Sequence, residues 1–279
     1  MKDLAGKVAV ITGGAGGIGR CIVAELAEAG ARCVVSDMDD EWGQLVVAEI
    51  ERGGGEAFYV STDITDSCEV SSLFAETVRK FGSVDIVVNV PDIQVLGPLH
   101  ELKEDHWDKK VDVALHGAFL VCTEAARIML SQGRGGRIIC ISSTGGFLAR
   151  PGHGPHSASK AALNAMVRAM ALELGEHGIT VNAVAPGGTD VVGPSRKGGF
   201  KPGQTDKILE VMPVKELVHP EAHAHAVAYL ASERASFVTG QVLVVDGGFI
   251  AGKLTVGGEI EDTVPAGLDS MRGTDGGDV

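Results

Sequence analysis

The chain has 279 residues, of which 44% are hydrophobic, and its formal net charge at pH 7 is −13. That length suits a single α/β domain with a full hydrophobic core. The acidic balance argues against a nucleic-acid partner or an anionic membrane surface.

The N-terminal segment and the cysteines predict a cytoplasmic compartment. We expect no signal peptide, because no long apolar stretch precedes the first predicted strand, and no apolar run approaches the length of a membrane span. The five cysteines are scattered without a CxxC spacing, which favours small buried residues over disulfides or a metal site. A reducing cytoplasm is the compartment that this usage indicates.

Strand and helix patterns alternate along the first third of the chain. Short apolar runs predict four strands, and amphipathic patterns between them predict three helices, the third capped by Asp66 or Ser67. The strands are expected at Val8–Thr12, Cys33–Ser36, Ala57–Val60 and Ile86–Asn89, with helices ending near Gly30, at Arg52 and near Phe81.

The alternation continues to residue 245. Predicted elements are a long helical stretch broken near Lys110, a helix over Ser157–Leu174, and strands at Arg137–Ile141, Ile179–Val184 and Val242–Val245. Alternating βα units predict a doubly wound parallel sheet, the Rossmann fold, with about seven strands. We expect residues 1–250 to form one domain.

Two segments depart from this regularity. Residues 188–213 are Gly/Pro-rich and poorly periodic, which is typical of a loop that covers a substrate. The basic side chains within 188–213 have two interpretations: a solvated loop is favoured, and contact with an anionic substrate is the alternative. Residues 251–279 are rich in glycine and acids, so we expect a mobile tail or an arm ordered against a neighbouring subunit.

A glycine cluster follows the first strand directly. A strand, a glycine-rich turn and a helix start form the pyrophosphate site of dinucleotide-binding folds, because the backbone can approach the phosphates and the helix N-terminus faces their charge. The cluster comprises Gly13, Gly14, Gly16, Gly17 and Gly19.

Asp37 indicates which dinucleotide binds. It falls 18 residues after Gly19, at the end of the second predicted strand. A carboxylate there accepts hydrogen bonds from the adenosine ribose and repels a 2′-phosphate. No Lys or Arg lies within residues 13–19, so we expect NAD(H) rather than NADP(H).

These motifs resemble the short-chain dehydrogenase/reductase family over about residues 4–249. The turn matches that family's TGxxxGxG loop. Five later motifs match in order: Asp63-Ile64, Ile141-Ser142-Ser143, Ser159-Lys160-Ala161, Asn182 to Gly187 (NAVAPG) and Asp246-Gly247-Gly248. The resemblance implies an oxidoreductase, commonly a homotetramer, that acts on a small molecule. It implies cofactor contacts at Thr12, Gly13, Gly16, Gly17, Ile18, Gly19, Asp37, Met38, Asp63, Ile64, Asn89, Lys160, Pro186 and Gly187.

The catalytic positions depart from that family's pattern. The family's Asn-Ser-Tyr-Lys set retains Ser143 and Lys160, but His156 stands where the tyrosine is expected and Ala114 where the asparagine aligns. Asp92 occupies the position of a small glycine, and Val191 that of a cofactor-contacting threonine.

His156 is the residue most suited to replace the tyrosine. His156 and Lys160 are four residues apart, so on a helix they share a face. A nearby ammonium lowers an imidazole pKa, which leaves a neutral base at pH 7. The predicted catalytic residues are therefore Ser143, His156 and Lys160, with His153 and His116 as weaker alternatives.

Three functions remain open from the residues. The first is an NAD-dependent oxidoreductase that interconverts a secondary alcohol and a ketone. The second is a non-redox enzyme, such as a dehydratase or isomerase, that uses His156 as its base. The third is a catalytically silent NAD-binding subunit, since the fold alone does not determine function.

Overall fold

The computed structural model describes residues 3–190 and 203–252. Within them lies a seven-stranded, all-parallel sheet in the order β3-β2-β1-β4-β5-β6-β7. The strands are β1 (Val8–Thr12), β2 (Arg32–Asp37), β3 (Ala57–Ser61), β4 (Ile86–Asn89), β5 (Gly136–Ile141), β6 (Ile179–Pro186) and β7 (Val242–Val245). The predicted doubly wound Rossmann sheet is confirmed.

Eight α-helices connect and flank the described strands. They are α1 (Gly17–Glu28), α2 (Asp40–Arg52), α3 (Ser67–Phe81), α4 (Glu104–Val111), α5 (Gly117–Gln132), α6 (Gly154–Leu174), α7 (Gln204–Val211) and α8 (Pro220–Ala231). The Asp66 carboxylate caps α3 by accepting hydrogen bonds from the N–H groups of Cys68 and Glu69.

Two hydrophobic cores lie on opposite faces of the sheet. One joins the sheet to α3, α5 and α6, and includes Val10, Phe74 and Leu163. The other joins it to α1, α2 and α8, and includes Ile11 and Val227. Alternate residues of each strand face opposite sides, so Val10 and Ile11 enter different cores. Burial on both faces explains the continuous apolar runs of the strands.

The sheet aligns its carboxyl ends along one edge. Thr12 pairs with Ser36 and with Asn89, and the β5 register places Cys140 beside Asn89. The glycine turn, Asp37, Asp92 and Ser143 follow these ends, so the topology collects them at the edge where open α/β sheets bind ligands.

The helix boundaries differ from the sequence-based expectation in two places. α6 begins at Gly154, three residues before the predicted start, because Pro155 fits the first turn of a helix. The expected break near Lys110 is a single π-helical turn, Asp112–His116, between α4 and α5. The break therefore follows Lys110 and leaves that residue inside α4.

Two further expectations need correction. The segment predicted as a substrate loop, 188–213, contains helix α7. Its residues 191–202 lie outside the described part of the chain, as do residues 253–279 of the predicted tail. The helical stretch Glu104–Gln132 is long and apolar enough by composition to cross a membrane, contrary to our expectation. Its α5 segment packs against β4, β5 and α3.

Candidate active site

The glycine turn after β1 has the geometry that a pyrophosphate requires. Gly13 has φ +69°, a conformation that favours glycine, and a Cβ on Gly19 would lie 2.0 Å from the Gly13 carbonyl oxygen. Gly16 gives α1 no side-chain cap, so the first N–H groups of α1, from Gly17 onwards, can face an anion. These residues fit a dinucleotide phosphate group.

The Asp37 carboxylate lies against this turn. Its Oδ2 accepts a hydrogen bond from the Ala15 N–H at 3.1 Å, and its Oδ1 accepts one from the Met38 N–H at 2.8 Å. The two bonds fix the carboxylate beside the phosphate-binding turn, and Met38 leaves its own side chain 70% exposed. Asp37 and the turn thus form one continuous surface for the adenosine half of a dinucleotide.

The remaining predicted cofactor residues follow the same sheet edge. Thr12 donates its hydroxyl hydrogen to Asn89 Oδ1 at 2.9 Å, which ties β1 to β4. Asp63 Oδ1 accepts two hydrogen bonds from Thr65, and the adjacent Ile64 is buried. The others, Ile18, Pro186 and Gly187, lie at the start of α1 and the end of β6.

Ser143, His156 and Lys160 lie close together. Ser143 is the second residue after β5, whereas His156 and Lys160 are on α6. A Cβ built on Gly145 would lie 3.0 Å from His156 Nε2 and 3.3 Å from Ser143 Oγ, so both side chains border the same glycine. Lys160 donates to the Ile141 carbonyl oxygen at 2.8 Å and is 2% exposed.

Asp92 links these residues through its carboxylate. Its Oδ2 lies 3.2 Å from His156 Nδ1 and 3.8 Å from Lys160 Nζ. Its Oδ1 accepts hydrogen bonds from the Ile93 N–H at 3.0 Å and from the ammonium of Lys110. One carboxylate is therefore shared by an imidazole and two lysines.

Lys110 is the site residue that the sequence reasoning missed. Its side chain is 0% exposed, and its ammonium also donates to the Ile93 carbonyl oxygen at 2.7 Å and lies 3.2 Å from His156 Nδ1. A signal was present, because Lys110 precedes Ala114 by four residues and such a pair shares one helix face. Lys110 thus brings an ammonium to the region where the family's asparagine aligns.

Burial and these neighbours set the charges. Burial lowers the pKa of His156, the Asp92 carboxylate opposes that effect, and both lysines reinforce it, so the pKa lies below its ordinary value. This extends the expectation that Lys160 alone lowers the pKa. Burial also lowers the pKa of Lys110, although Asp92 opposes it. Burial would raise the pKa of Asp92, but the cations and the His156 hydrogen bond hold it well below its usual range.

Other side chains that could have replaced the tyrosine lie elsewhere. Tyr59 is on β3 and Tyr229 on α8. His153 Nδ1 lies 3.1 Å from the Pro151 carbonyl oxygen, and the His116 ring stacks against Phe119. Ala114 is buried in the π-helical turn, and Val191 lies outside the described residues.

Comparison with known proteins identifies relatives over most of the chain. A family model described as enoyl-(acyl carrier protein) reductase matches residues 13–250. A short-chain dehydrogenase/reductase of Hericium erinaceus is 38% identical over 245 residues, covering 86% of this chain and 96% of the relative. A 2,5-dichloro-2,5-cyclohexadiene-1,4-diol dehydrogenase of Sphingobium indicum is 35% identical over 252 residues, covering 90% and 100%.

Solved structures agree with this relationship. A 7α-hydroxysteroid dehydrogenase in complex with NADH and 7-oxo glycochenodeoxycholic acid superposes with a TM-score of 0.84 at 35% identity, covering 90% of this chain and 97% of that one. The protein gox2181 superposes with a TM-score of 0.86 at 34% identity, covering 90% and 99%. The fold, the sheet-edge site and these relatives lead to one conclusion: the chain belongs to the short-chain dehydrogenase/reductase family of nicotinamide-dependent oxidoreductases.

Proposed function

We propose that the protein is an NAD(H)-dependent dehydrogenase/reductase that interconverts a secondary alcohol and a ketone on a small organic substrate, with Ser143, His156 and Lys160 as its catalytic set. The observation that carries the proposal is the imidazole of His156. It borders Gly145 together with Ser143, at the position where the family carries its tyrosine, and it shares the Asp92 carboxylate with Lys160.

Each catalytic residue has a distinct task in this reaction. The lowered pKa keeps His156 neutral at pH 7, so its free ring nitrogen can accept the proton of a substrate alcohol. Ser143 donates a hydrogen bond to the substrate oxygen and orients it. The Lys160 ammonium binds the ribose hydroxyls on the nicotinamide side. The bound cofactor supplies the hydride acceptor or donor.

NAD(H) is the proposed cofactor because of Asp37. Its fixed carboxylate lies beside the phosphate-binding turn, where a 2′-phosphate would meet like charge. The NADH complex of the 7α-hydroxysteroid dehydrogenase is consistent with this choice in a relative. A thermal-shift titration should therefore show greater stabilisation by NAD(H) than by NADP(H).

The decisive experiment follows the pH dependence of turnover. NAD⁺ reduction should be measured with a panel of secondary alcohols between pH 5 and 10, for the wild type and for His156→Ala. The wild-type profile should show a limb at or below neutrality that the variant lacks, with kcat reduced by about 10²-fold or more. His153→Ala is the matched control and should retain the profile, because its ring contacts Pro151 at a loop.

Three results would count against this proposal. Full activity and an unchanged profile in His156→Ala would exclude His156 as the base. Turnover without net hydride transfer would favour the non-redox alternative. Cofactor binding without turnover across alcohols and ketones would favour the silent-subunit alternative.

We further propose a cytoplasmic homo-oligomer, most simply a tetramer, without a nucleic-acid or membrane partner. Exposed large apolar side chains support an oligomer: Phe237 is 101% and Leu172 86% exposed. Light scattering coupled to size-exclusion chromatography should give a mass above that of the single chain, and Phe237→Glu should lower it.

A further inference from the structure

The contacts of Asp92 go beyond what the proposed catalytic set requires. Asp92 is the third residue after β4. Its Oδ1 accepts from Lys110 and the Ile93 N–H, and its Oδ2 lies near His156 and Lys160. A carboxylate held on both oxygens has little freedom to rotate. The direction of its contact to the imidazole is therefore fixed.

Lys110 anchors that carboxylate from inside the protein. Its ammonium has only hydrogen-bond donors, and two of them are directed to Asp92 Oδ1 and the Ile93 carbonyl oxygen. A buried lysine is tolerated only when it is paired and hydrogen-bonded. The pairing therefore holds Asp92 and the segment around Ile93 in one arrangement.

The Nδ1 atom of His156 has two neighbours that would set opposite tautomers. Asp92 Oδ2 and Lys110 Nζ both lie 3.2 Å from it. A carboxylate only accepts hydrogen bonds, so Nδ1 carries the proton when it bonds to Asp92. The neutral ring then carries its lone pair on Nε2, the atom that borders Gly145 beside Ser143. The opposite tautomer would accept from Lys110 at Nδ1 and turn an N–H toward Ser143, which gives no base there.

We propose that Asp92 is a positioning residue that holds His156 in its Nδ1–H tautomer, with Lys110 as the anchor that fixes the Asp92 carboxylate. The inference rests on the proposed function for its catalytic meaning, but the tautomer itself is independent of turnover. In the oxidative direction, the alcohol proton passes to Nε2, and the resulting imidazolium keeps its Nδ1–H bond to Asp92.

The first test needs no variant at the Asp92 position. Long-range ¹H–¹⁵N correlation spectra of ¹⁵N-histidine-labelled protein, above the titration range of the ring, report which nitrogen carries the proton. The His156 signals are assigned by their absence in His156→Gln. We expect the Nδ1–H pattern, and an Nε2–H pattern would overturn the inference.

The second test removes the charge of Asp92 while keeping an amide of similar shape. In Asp92→Asn the imidazolium loses its anionic partner while both lysines remain, so His156 should titrate at a lower pH. The kcat value should fall at least about tenfold, and KM should change much less. An unchanged titration midpoint would overturn the inference. Asp85→Asn is the matched control. Asp85 precedes β4 at the amino-terminal ends of the strands and pairs there with Arg134, so removing its charge should leave the titration of His156 unchanged.

The two proposals fail in different ways. An Nδ1–H tautomer and a shifted titration in a protein without dehydrogenase activity would retain the positioning of His156 and refute the proposed function. A dehydrogenase that depends on His156 but shows the Nε2–H tautomer would retain the function and refute the role of Asp92.

Discussion

Tyr59 donates its hydroxyl hydrogen to the main-chain carbonyl oxygen of Asp37 at 2.6 Å. The bond joins β3 to the end of β2, so one of the two tyrosines of the chain serves the cofactor side of the sheet edge. Asp40 Oδ1 lies 2.9 Å from the same hydroxyl oxygen, as an alternative acceptor for its one hydrogen. A fixed main chain at Asp37 is what allows its short side chain to reach the phosphate-binding turn.

Asp37→Ala should therefore narrow the preference for NAD(H). The variant loses an acceptor for the ribose hydroxyls and the charge that repels a 2′-phosphate, so the ratio of the two dissociation constants should change by about tenfold or more. Titration calorimetry with NAD⁺ and NADP⁺ measures the ratio. Glu41→Ala, which removes a nearby exposed acid, is the control, and an equal change of the ratio in both variants would contradict the role of Asp37.

His156→Tyr should retain carbonyl reduction. A tyrosine would restore the hydroxyl that the family uses, beside the two residues of its set that this chain keeps, Ser143 and Lys160. The limb near neutrality should disappear, because a phenol titrates near pH 10. His156→Phe is the control, because it carries the ring of the tyrosine variant without its hydroxyl. This variant should be inactive in assays of NADH oxidation with ketones.

Gly145→Ala should lower turnover with little loss of stability. The added methyl group would lie 2.8 Å from His156 Cδ2, so the imidazole must shift from its present position. A displacement of about 1 Å can reduce the rate by about 10²-fold. Gly175→Ala is the matched control, since a Cβ there meets nothing within 4 Å. Steady-state kinetics and thermal melts of both variants check this prediction, which equal kcat values would contradict.

Acid should destabilise the protein through His223. This fully buried residue of α8 lies 2.9 Å from Thr189 Oγ1 through Nε2, and burial lowers its pKa to about 4. Below about pH 6.5 the unfolded chain takes up the proton first, so the free energy of unfolding decreases as pH falls from 6.5 to 4. This one group accounts for up to about 3 kcal/mol of that decrease.

Urea unfolding of the wild type and His223→Gln at several pH values isolates the contribution of His223. The glutamine does not titrate, so its unfolding free energy should depend less on pH in that window. His219→Gln, an exposed position that contacts Glu216, is the control and should follow the wild type. Parallel curves for all three proteins would refute the role of His223.

The sheet could be predicted from the sequence because each strand is a short apolar run between turn residues. Val8–Thr12, Ile86–Asn89 and Val242–Val245 were predicted to the residue. The strands Val8–Thr12 and Ile86–Asn89 are buried along their whole length, whereas Val242–Val245 is only partly buried at the end of the sheet.

The site was only partly predictable. Motif spacing indicated Ser143, His156 and Lys160, but the burial of Lys110 was not expected, because lysines rarely lie inside a protein unless they are paired. The partner, Asp92, is 18 residues away and on a different element. A helix break was expected near Lys110, but its π-helical form was not, since Asp112–His116 contains no glycine or proline to mark it.

That π-helical turn makes the site sensitive to chain length. One extra residue is accommodated between α4 and α5, and each residue of an α-helix corresponds to a rotation of about 100°. The π-helical turn absorbs that residue locally, so α4 and α5 stay in phase, whereas a second residue inserted within 112–116 would rotate α4 relative to α5 by that angle. The Lys110 ammonium would then swing away from the carboxylate, so natural variants of this protein should tolerate substitutions in the turn far better than insertions.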